Sequence, residues 1–365
     1  MIAVRVVVFL LGAAVVIATF GSAIRTVVLP RGVPARLGRV VFRGLRVVFQ
    51  LRARPSHSYA RRDRVMAMYA PVGLLALLAT WMALTLAGYA GMYWALGGRS
   101  VGDAFQVSGS SLLTLGFLEP FDGPGVALAL SEALVGLVLL AMLITYLPSI
   151  YGAFSRREAQ VTALDIRAGT PPSGVRLVEF FGIMGKIQDL GDFWGIWERW
   201  FVDIEESHTS FPAVVFFRSP QPDHSWVVAA GAVLDGASLL ASSVDVPREQ
   251  RAEFAIRAGY LALRRVAEFF GVSYHRDPHF PDQSISVTRE EFDEVWERLE
   301  AAGVPMKPDR EQAWQDFGGW RVNYDVPLVA LAGLTMAPVA PWSSDRGIVN
   351  VRPPIFRRAR QLPPD

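Results

Sequence analysis

Three long apolar runs, parted by short polar stretches, fill most of the first 154 positions of the chain. Val4–Leu29 carries only Arg5 and Arg25, Val65–Leu96 carries no charged residue, and Gly125–Tyr151 carries only Glu132. Each reaches the roughly 20 apolar residues that cross a ~30 Å hydrocarbon layer as a helix. Tyr89, Tyr93, Trp94, Tyr146 and Tyr151 stand at the margins of the second and third runs, as interfacial aromatics do. A buried core helix explains one such run but not three, so the pattern predicts three membrane spans.

Beyond residue 155 the pattern changes. A junction rich in proline and glycine, Ala168–Gly174, marks a boundary. After it, apolar positions recur at three- and four-residue spacing, as in Phe254–Phe270, and strict alternation is scarce. This predicts helices over 175–190, 192–208, 225–243, 247–271, 288–302 and 309–335. Their clearest start signals are Pro247 with Glu249, Thr288 with Glu290 and Glu291, and Asp309 with Glu311. Phe211–Phe217 reads as a buried strand instead, because Val214, Val215, Phe216 and Phe217 follow Pro212. Trp194, Trp197 and Trp200 recur every third residue; core packing is the default for such a stripe, a membrane- or subunit-facing surface the alternative.

Charge sharpens the division. The chain has 365 residues, 52% hydrophobic and 19% charged, with a mean hydropathy of +0.29. Residues 1–154 hold 13 basic and 5 acidic side chains, a formal +8, whereas the remainder carries −6. No cysteine is present, which excludes disulfides, a thiol nucleophile and thiolate metal sites. Ten arginines and a single acid, Asp63, lie between residues 31 and 64. The first run, with small residues at Phe20–Ala23, also has the outline of a signal peptide, but its cleavage would leave this arginine-rich segment outside, against the positive-inside rule. The expected topology is therefore an N-terminus outside, 31–64 inside, 97–124 outside, and 155–365 in the cytoplasm, with Arg156 and Arg157 as the second basic flank.

Arg36, Arg39, Arg43 and Arg46 are three and four apart and share one helical face, while Val33, Leu37, Val40, Val41, Val47 and Val48 populate much of the rest. That is the pattern of a helix in the headgroup layer with its guanidiniums on lipid phosphates. A voltage-sensing helix needs acidic counter-charges on its neighbours, and residues 1–62 contain no Asp or Glu. A nucleic-acid patch does not suit a segment held between two spans.

Residues 97–124 are too long for a turn and too apolar over Phe105–Leu118 for a solvated loop. A helix of about three turns from Val101 to Leu113, then irregular backbone, is tolerated at membrane depth only where protein buries it or water lines it. Asp103-Ala-Phe-Gln-Val-Ser-Gly-Ser-Ser-Leu-Leu-Thr-Leu-Gly-Phe-Leu-Glu119 resembles the pore helix and filter of the potassium-channel superfamily. Asp103, Ala104, Ser108, Thr114, Gly116 and Phe117 fit its pattern; Leu115 stands for the usual Val and Glu119 for the usual Asp. The resemblance covers residues 65–154, with an outer helix 65–96, pore helix and filter 101–119, and inner helix 125–151.

The resemblance implies an all-α membrane protein: anchor helix 1–30, Arg-rich segment 31–64, pore domain 65–154 and helical cytoplasmic domain 155–365. It implies four chains around a filter of Thr114, Leu115, Gly116, Phe117, Leu118 and Glu119, a permeating potassium or sodium ion, and Gly136 at a gating glycine's position. Leu118 stands where the family has its second filter glycine. Leucine resists the left-handed backbone that glycine accepts, at roughly 1–2 kcal/mol, so fewer carbonyl rings replace the ion's hydration shell and potassium preference weakens. Glu119 and Asp122 form acidic rings at the outer mouth. Glu132, the sole acid within a span, either packs behind the filter on Ser108, Ser110 or Ser111, or lines the cavity.

The C-terminal part offers no catalytic constellation. It has no phosphate loop or dinucleotide fingerprint, and His275-Arg-Asp277 lacks the glycine-rich loop that a kinase needs. Pro278 breaks the helix that would align His275 with His279 for a metal. His208 beside Glu205 and Glu206 reads as a solvated helix end. Arg352–Asp365 reads as a disordered tail. An enzyme and a resident cofactor are thus not expected. A cation channel with a possible cytoplasmic ligand is favoured over a non-conducting, membrane-anchored sensor or scaffold built on a degenerate channel fold.

Overall fold

The computed structural model describes residues 2–29, 36–53, 58–97, 100–118 and 123–346. Among these the regular structure is helical, and the one β-type pairing is an isolated bridge between Val244 and Met306. The chain divides into two units, residues 1–152 and 153–365. Four helical stretches are long and apolar enough to cross a membrane: Ile2–Val27, Tyr59–Leu96, Gly123–Ala168 and Trp226–Ser243. The chain is thus a multi-pass membrane protein.

In the first unit, α1 (Ile2–Val27) packs along α4 (Tyr69–Leu96). A Cβ added at Gly12 would lie 2.4 Å from the Gly88 carbonyl oxygen, and one at Gly88 would lie 2.8 Å from that of Gly12. Without a hydrophobic drive between helices in lipid, such small-residue contacts let backbones approach and gain dispersion. Arg5 lies beside Gly97 at one end of the pair, and Ala23 packs with Leu77 and Trp81 at the other. The two helices therefore run antiparallel, and α1 is an integral part of the bundle.

Between them in sequence come α2 (Arg36–Arg52) and α3 (Tyr59–Ala67). Leu37, Val41 and Phe42 of α2 turn towards the bundle, and the Tyr69 hydroxyl donates to the Phe42 carbonyl at 2.9 Å. Val40, Val47 and Leu51 stay exposed, with Arg36 and Arg39 exposed and Arg43 and Arg46 half-buried on the adjoining face. So α2 has three faces, not two: part of its apolar surface seats on protein.

The third run forms α6 (Gly123–Ala168), longer than the 125–151 expected. Pro148 lies inside it, where it removes the bond to residue 144 and crowds that carbonyl, yet the helix continues and stops where Gly169 takes φ +73°.

The second unit is organised around α9 (Trp226–Ser243), of whose 18 residues 94% are buried within the protein. Its span-like composition thus reflects a fully wrapped core helix. Around it lie α7 (Gly174–Ile183), α8 (Gly191–Ser210), α10 (Gln250–Phe269), α11 (Arg289–Ala301), α12 (Arg310–Arg321) and α13 (Asp325–Thr335). The start signals act as caps: Glu249 accepts from the Arg251 N–H at 3.0 Å, Thr288 and Glu291 form a reciprocal capping box, and Asp309 accepts from the Gln312 N–H at 2.9 Å. Trp194, Trp197 and Trp200 are core residues.

Three expectations need correction. Phe211–Phe217 is not a strand but a 3-10 turn, Pro212–Phe216. Its carbonyls are taken by side chains: Arg157 donates to Val214 at 2.8 Å and Phe217 at 2.7 Å, and Trp226 to Val215 at 3.2 Å. The helix expected over 309–335 is two helices, parted where Arg321, Tyr324 and Asp325 turn inward. His208 is not solvated but wholly buried, as is Arg157, so only Arg156 of that basic pair is exposed, paired with Asp203 at 3.2 Å.

Arg157 Nη1 donates to His208 Nε2 at 3.2 Å, which makes Nε2 the acceptor and places the ring proton on Nδ1, facing Ser207 Oγ at 3.0 Å. Burial, then the Arg157 charge, holds the His208 pKa well below the usual imidazole range. The unfolded chain takes up a proton at this site below about pH 6.5 while the folded chain does not. Stability should therefore fall as pH drops below about 6.5, by up to ~1.4 kcal/mol per unit. Thermal melts of wild type and His208→Gln across pH 5 to 8 check this: the variant's curve should be flatter, and equal slopes would contradict it.

Candidate functional site

The segment that carries the filter resemblance begins with α5 (Val101–Leu112). Ser100 and Asp103 cap it reciprocally: the Asp103 N–H donates to Ser100 Oγ at 3.1 Å, and the Ser100 N–H to Asp103 Oδ2 at 3.2 Å. Asp103, read from the motif as a family position, thus has a local reason to be there. Ala104, Val107, Ser108, Ser110 and Leu112 are buried, and α5 packs on α4.

The helix ends in a Schellman cap. The Thr114 N–H donates to the Ser111 carbonyl at 3.0 Å and the Leu115 N–H to that of Ser110 at 2.8 Å. Thr114 is the left-handed residue of this cap, with φ +54°, and Gly116 follows at φ +70°. A β-branched residue in that region is strained, by roughly 1–3 kcal/mol. Leu118 is not left-handed. Its N–H donates to Ser110 Oγ at 3.3 Å, and its side chain packs beside Tyr89, Tyr93 and Val107. At Leu118, where the resemblance would put a glycine, the backbone is thus ordinary and the side chain is partly buried.

Leu113, Leu115 and Phe117 are 54%, 60% and 63% exposed, and the N–H groups of Gly116 and Phe117 have no partner among the described residues. Glu119 and Asp122 lie outside the described residues.

Glu132 of α6 is wholly buried. Ser108 Oγ lies 2.5 Å from Glu132 Oε1 and 3.0 Å from the Leu86 carbonyl oxygen of α4, so its one proton has two acceptors, on two helices. Tyr93 donates to Ser111 Oγ at 3.5 Å, and Tyr89 shares a hydrogen bond with Ser131 Oγ at 3.0 Å. Four residues beyond Glu132, a Cβ at Gly136 would lie 2.4 Å from the Leu112 carbonyl oxygen. Gly136 is thus a notch into which the end of α5 fits. Asp103 is the one charged side chain among the described residues from 65 to 131, so no cation faces Glu132 from that stretch.

The four α2 arginines stand away from this cluster in sequence and form a basic face. Among the described residues no three His, Asp or Glu side chains gather to hold a metal. Sequence reading missed a buried network in the second unit. Arg321 contacts Asp235, lies 2.7 Å from Asp325 Oδ1 and donates to the Trp342 carbonyl at 2.5 Å; Tyr324 donates to Asp235 at 2.9 Å. The signal was available in Arg321 and Asp325 at i,i+4 in a largely apolar stretch, but Asp235, 86 residues away, is joined to them only by the fold. A cleft of about 610 Å³ opens between the start of α10 and α12, with Arg248, Lys307 and Trp320 among its walls. No family model, curated protein or solved structure matches this chain.

Proposed function

We propose that four copies of this chain assemble in the cell membrane as a cation channel resembling the potassium-channel superfamily, with residues 101–119 of each copy re-entering the membrane to line one pathway. The observation that carries this reading is the stretch Leu113–Phe117: apolar, exposed and non-helical, between two span-length helices. Backbone N–H and C=O groups facing lipid cost several kcal/mol each, so this stretch needs water or protein around it. One such loop per chain supplies a fraction of a ring, and a ring of loops around water meets the need. The exposed side of α6 supports the same reading, since Leu130, Leu134, Leu137, Ile144 and Tyr151 fall on the 3.5-residue spacing of a helix–helix seam.

In this reading Thr114 to Leu118 form the constriction, Glu119 and Asp122 concentrate cations at its outer mouth, and the α2 arginines meet anionic lipid headgroups. The positive-inside rule applied to the arginine-rich segment supports a cytoplasmic side for residues 31–64 and the C-terminal unit, where that unit, or a ligand of it, biases the gate. Potassium preference is weak, because the N–H groups of Thr114 and Leu115 turn back to the Ser111 and Ser110 carbonyls and Thr114 is left-handed, so this stretch starts as a capped helix end and not as an extended ladder of carbonyls. That same cap favours the second reading, a non-conducting scaffold. Native mass of the detergent-solubilised protein tests the assembly: a tetramer is expected, and a monomer or isolated dimer would overturn it.

A further inference from the structure

Two contacts between α5 and α6 share one spacing. Glu132 meets Ser108 and Gly136 meets Leu112; on each helix the paired residues are four apart, so they stack on one face a turn apart. The two rungs fix the register of α6 against α5. The Glu132 rung is polar and directional, while the Gly136 rung is a steric notch that tolerates sliding only if another small residue replaces it. The loop inherits this register, because Ser110 and Ser111 hold Thr114, Leu115 and Leu118 through the cap and through Ser110 Oγ.

We infer that Glu132 is a positioning residue of the pathway: by accepting the Ser108 hydrogen bond it locks the register of α6 against α5 and thereby holds the Thr114–Leu118 loop in its conducting geometry. This rests on the channel reading above. The Leu86 carbonyl, 3.0 Å from Ser108 Oγ, is a second acceptor, so the serine proton keeps a partner when the carboxylate is absent. Leu86 is itself within a helix whose carbonyls already accept backbone bonds, which leaves Glu132 as the acceptor with most to gain.

The experiment compares wild type, Glu132→Gln, Glu132→Leu and Ser108→Ala, each checked for tetrameric mass, by cation flux in liposomes and by amide hydrogen exchange at Thr114, Leu115 and Leu118. Glutamine keeps an acceptor oxygen and should keep flux within about twofold of wild type. Glu132→Leu and Ser108→Ala should each lose about tenfold, the lower end of the scale of one hydrogen bond to a charged group because the Leu86 carbonyl remains as an acceptor, and should exchange faster at the three loop amides. The double variant Ser108→Ala/Glu132→Leu should be no worse than the worse single one. Unchanged flux and unchanged exchange in Ser108→Ala would overturn the lock, as would Glu132→Gln losing as much as Glu132→Leu. If wild type itself carries no flux, the channel reading fails separately, and loop exchange still decides whether the bond holds the loop.

Discussion

Replacing Arg321 by methionine is expected to cost the second unit about 3–5 kcal/mol, the scale set by removing one partner from a buried ion pair. The guanidinium is completely buried. Burial works against its charge, but Asp235 and Asp325 outweigh that and hold its pKa above the usual range. Without it, both carboxylates lose their cation, and the Trp342 carbonyl loses its donor. Ser286 still serves Asp325, through its N–H at 3.0 Å and hydroxyl at 2.7 Å, so the orphaned charge falls chiefly on Asp235, which keeps only Tyr324. Adding Asp235→Asn should recover part of the loss by removing that charge. Urea titration followed by tryptophan fluorescence gives the comparison. A single variant within about 1 kcal/mol of wild type would mean the network is dispensable to stability.

Gly136→Ala is expected to lower the stability of the membrane unit and to reduce flux together. Two effects oppose each other here. Alanine gains about 1 kcal/mol over glycine inside a helix, while the added Cβ collides with the Leu112 carbonyl, a backbone atom at 2.4 Å. Overpacking of this kind costs about 1–3 kcal/mol, so the collision wins. Gly44→Ala in α2 is the control, since no atom lies within 4 Å of its added Cβ, and it should be neutral or stabilising. A gating hinge at Gly136 predicts the reverse, an unchanged or raised melting temperature with altered opening alone. Melting of the detergent-solubilised protein separates the two.

The helical architecture was legible in the sequence because burial periodicity and caps are local. Thr288 with Glu291 and Asp309 with Gln312 act within one turn, and the helix starts fall within a few residues of where those signals place them. What eluded the sequence depends on distant partners. Phe211–Phe217 has the composition of a strand, but Arg157, 57 residues from Val214, claims its carbonyls. His208 reads as exposed beside two glutamates until the fold closes over it. The membrane cluster divides the same way. Glu132 stands out by rarity alone, and Ser108 is one of three serines that spacing permits; choosing it takes the packing of α4, α5 and α6. Gly136 invited comparison with a hinge, and its close neighbour in space, the Leu112 carbonyl, is a contact that no one-dimensional pattern encodes. Leu118 departs from the motif, and the contacts around it, its packing in the α4–α5 cluster and its N–H on Ser110 Oγ, are also set by the fold.

Cation flux through the purified protein in liposomes tests the central claim most directly. Vesicles carrying the purified chain are placed under matched outward gradients of potassium and of sodium, with protein-free vesicles alongside. The predicted result is protein-dependent flux of both ions with a modest preference for potassium, reduced by Gly136→Ala. Flux no greater than in protein-free vesicles, from a preparation whose native mass is tetrameric, would contradict it.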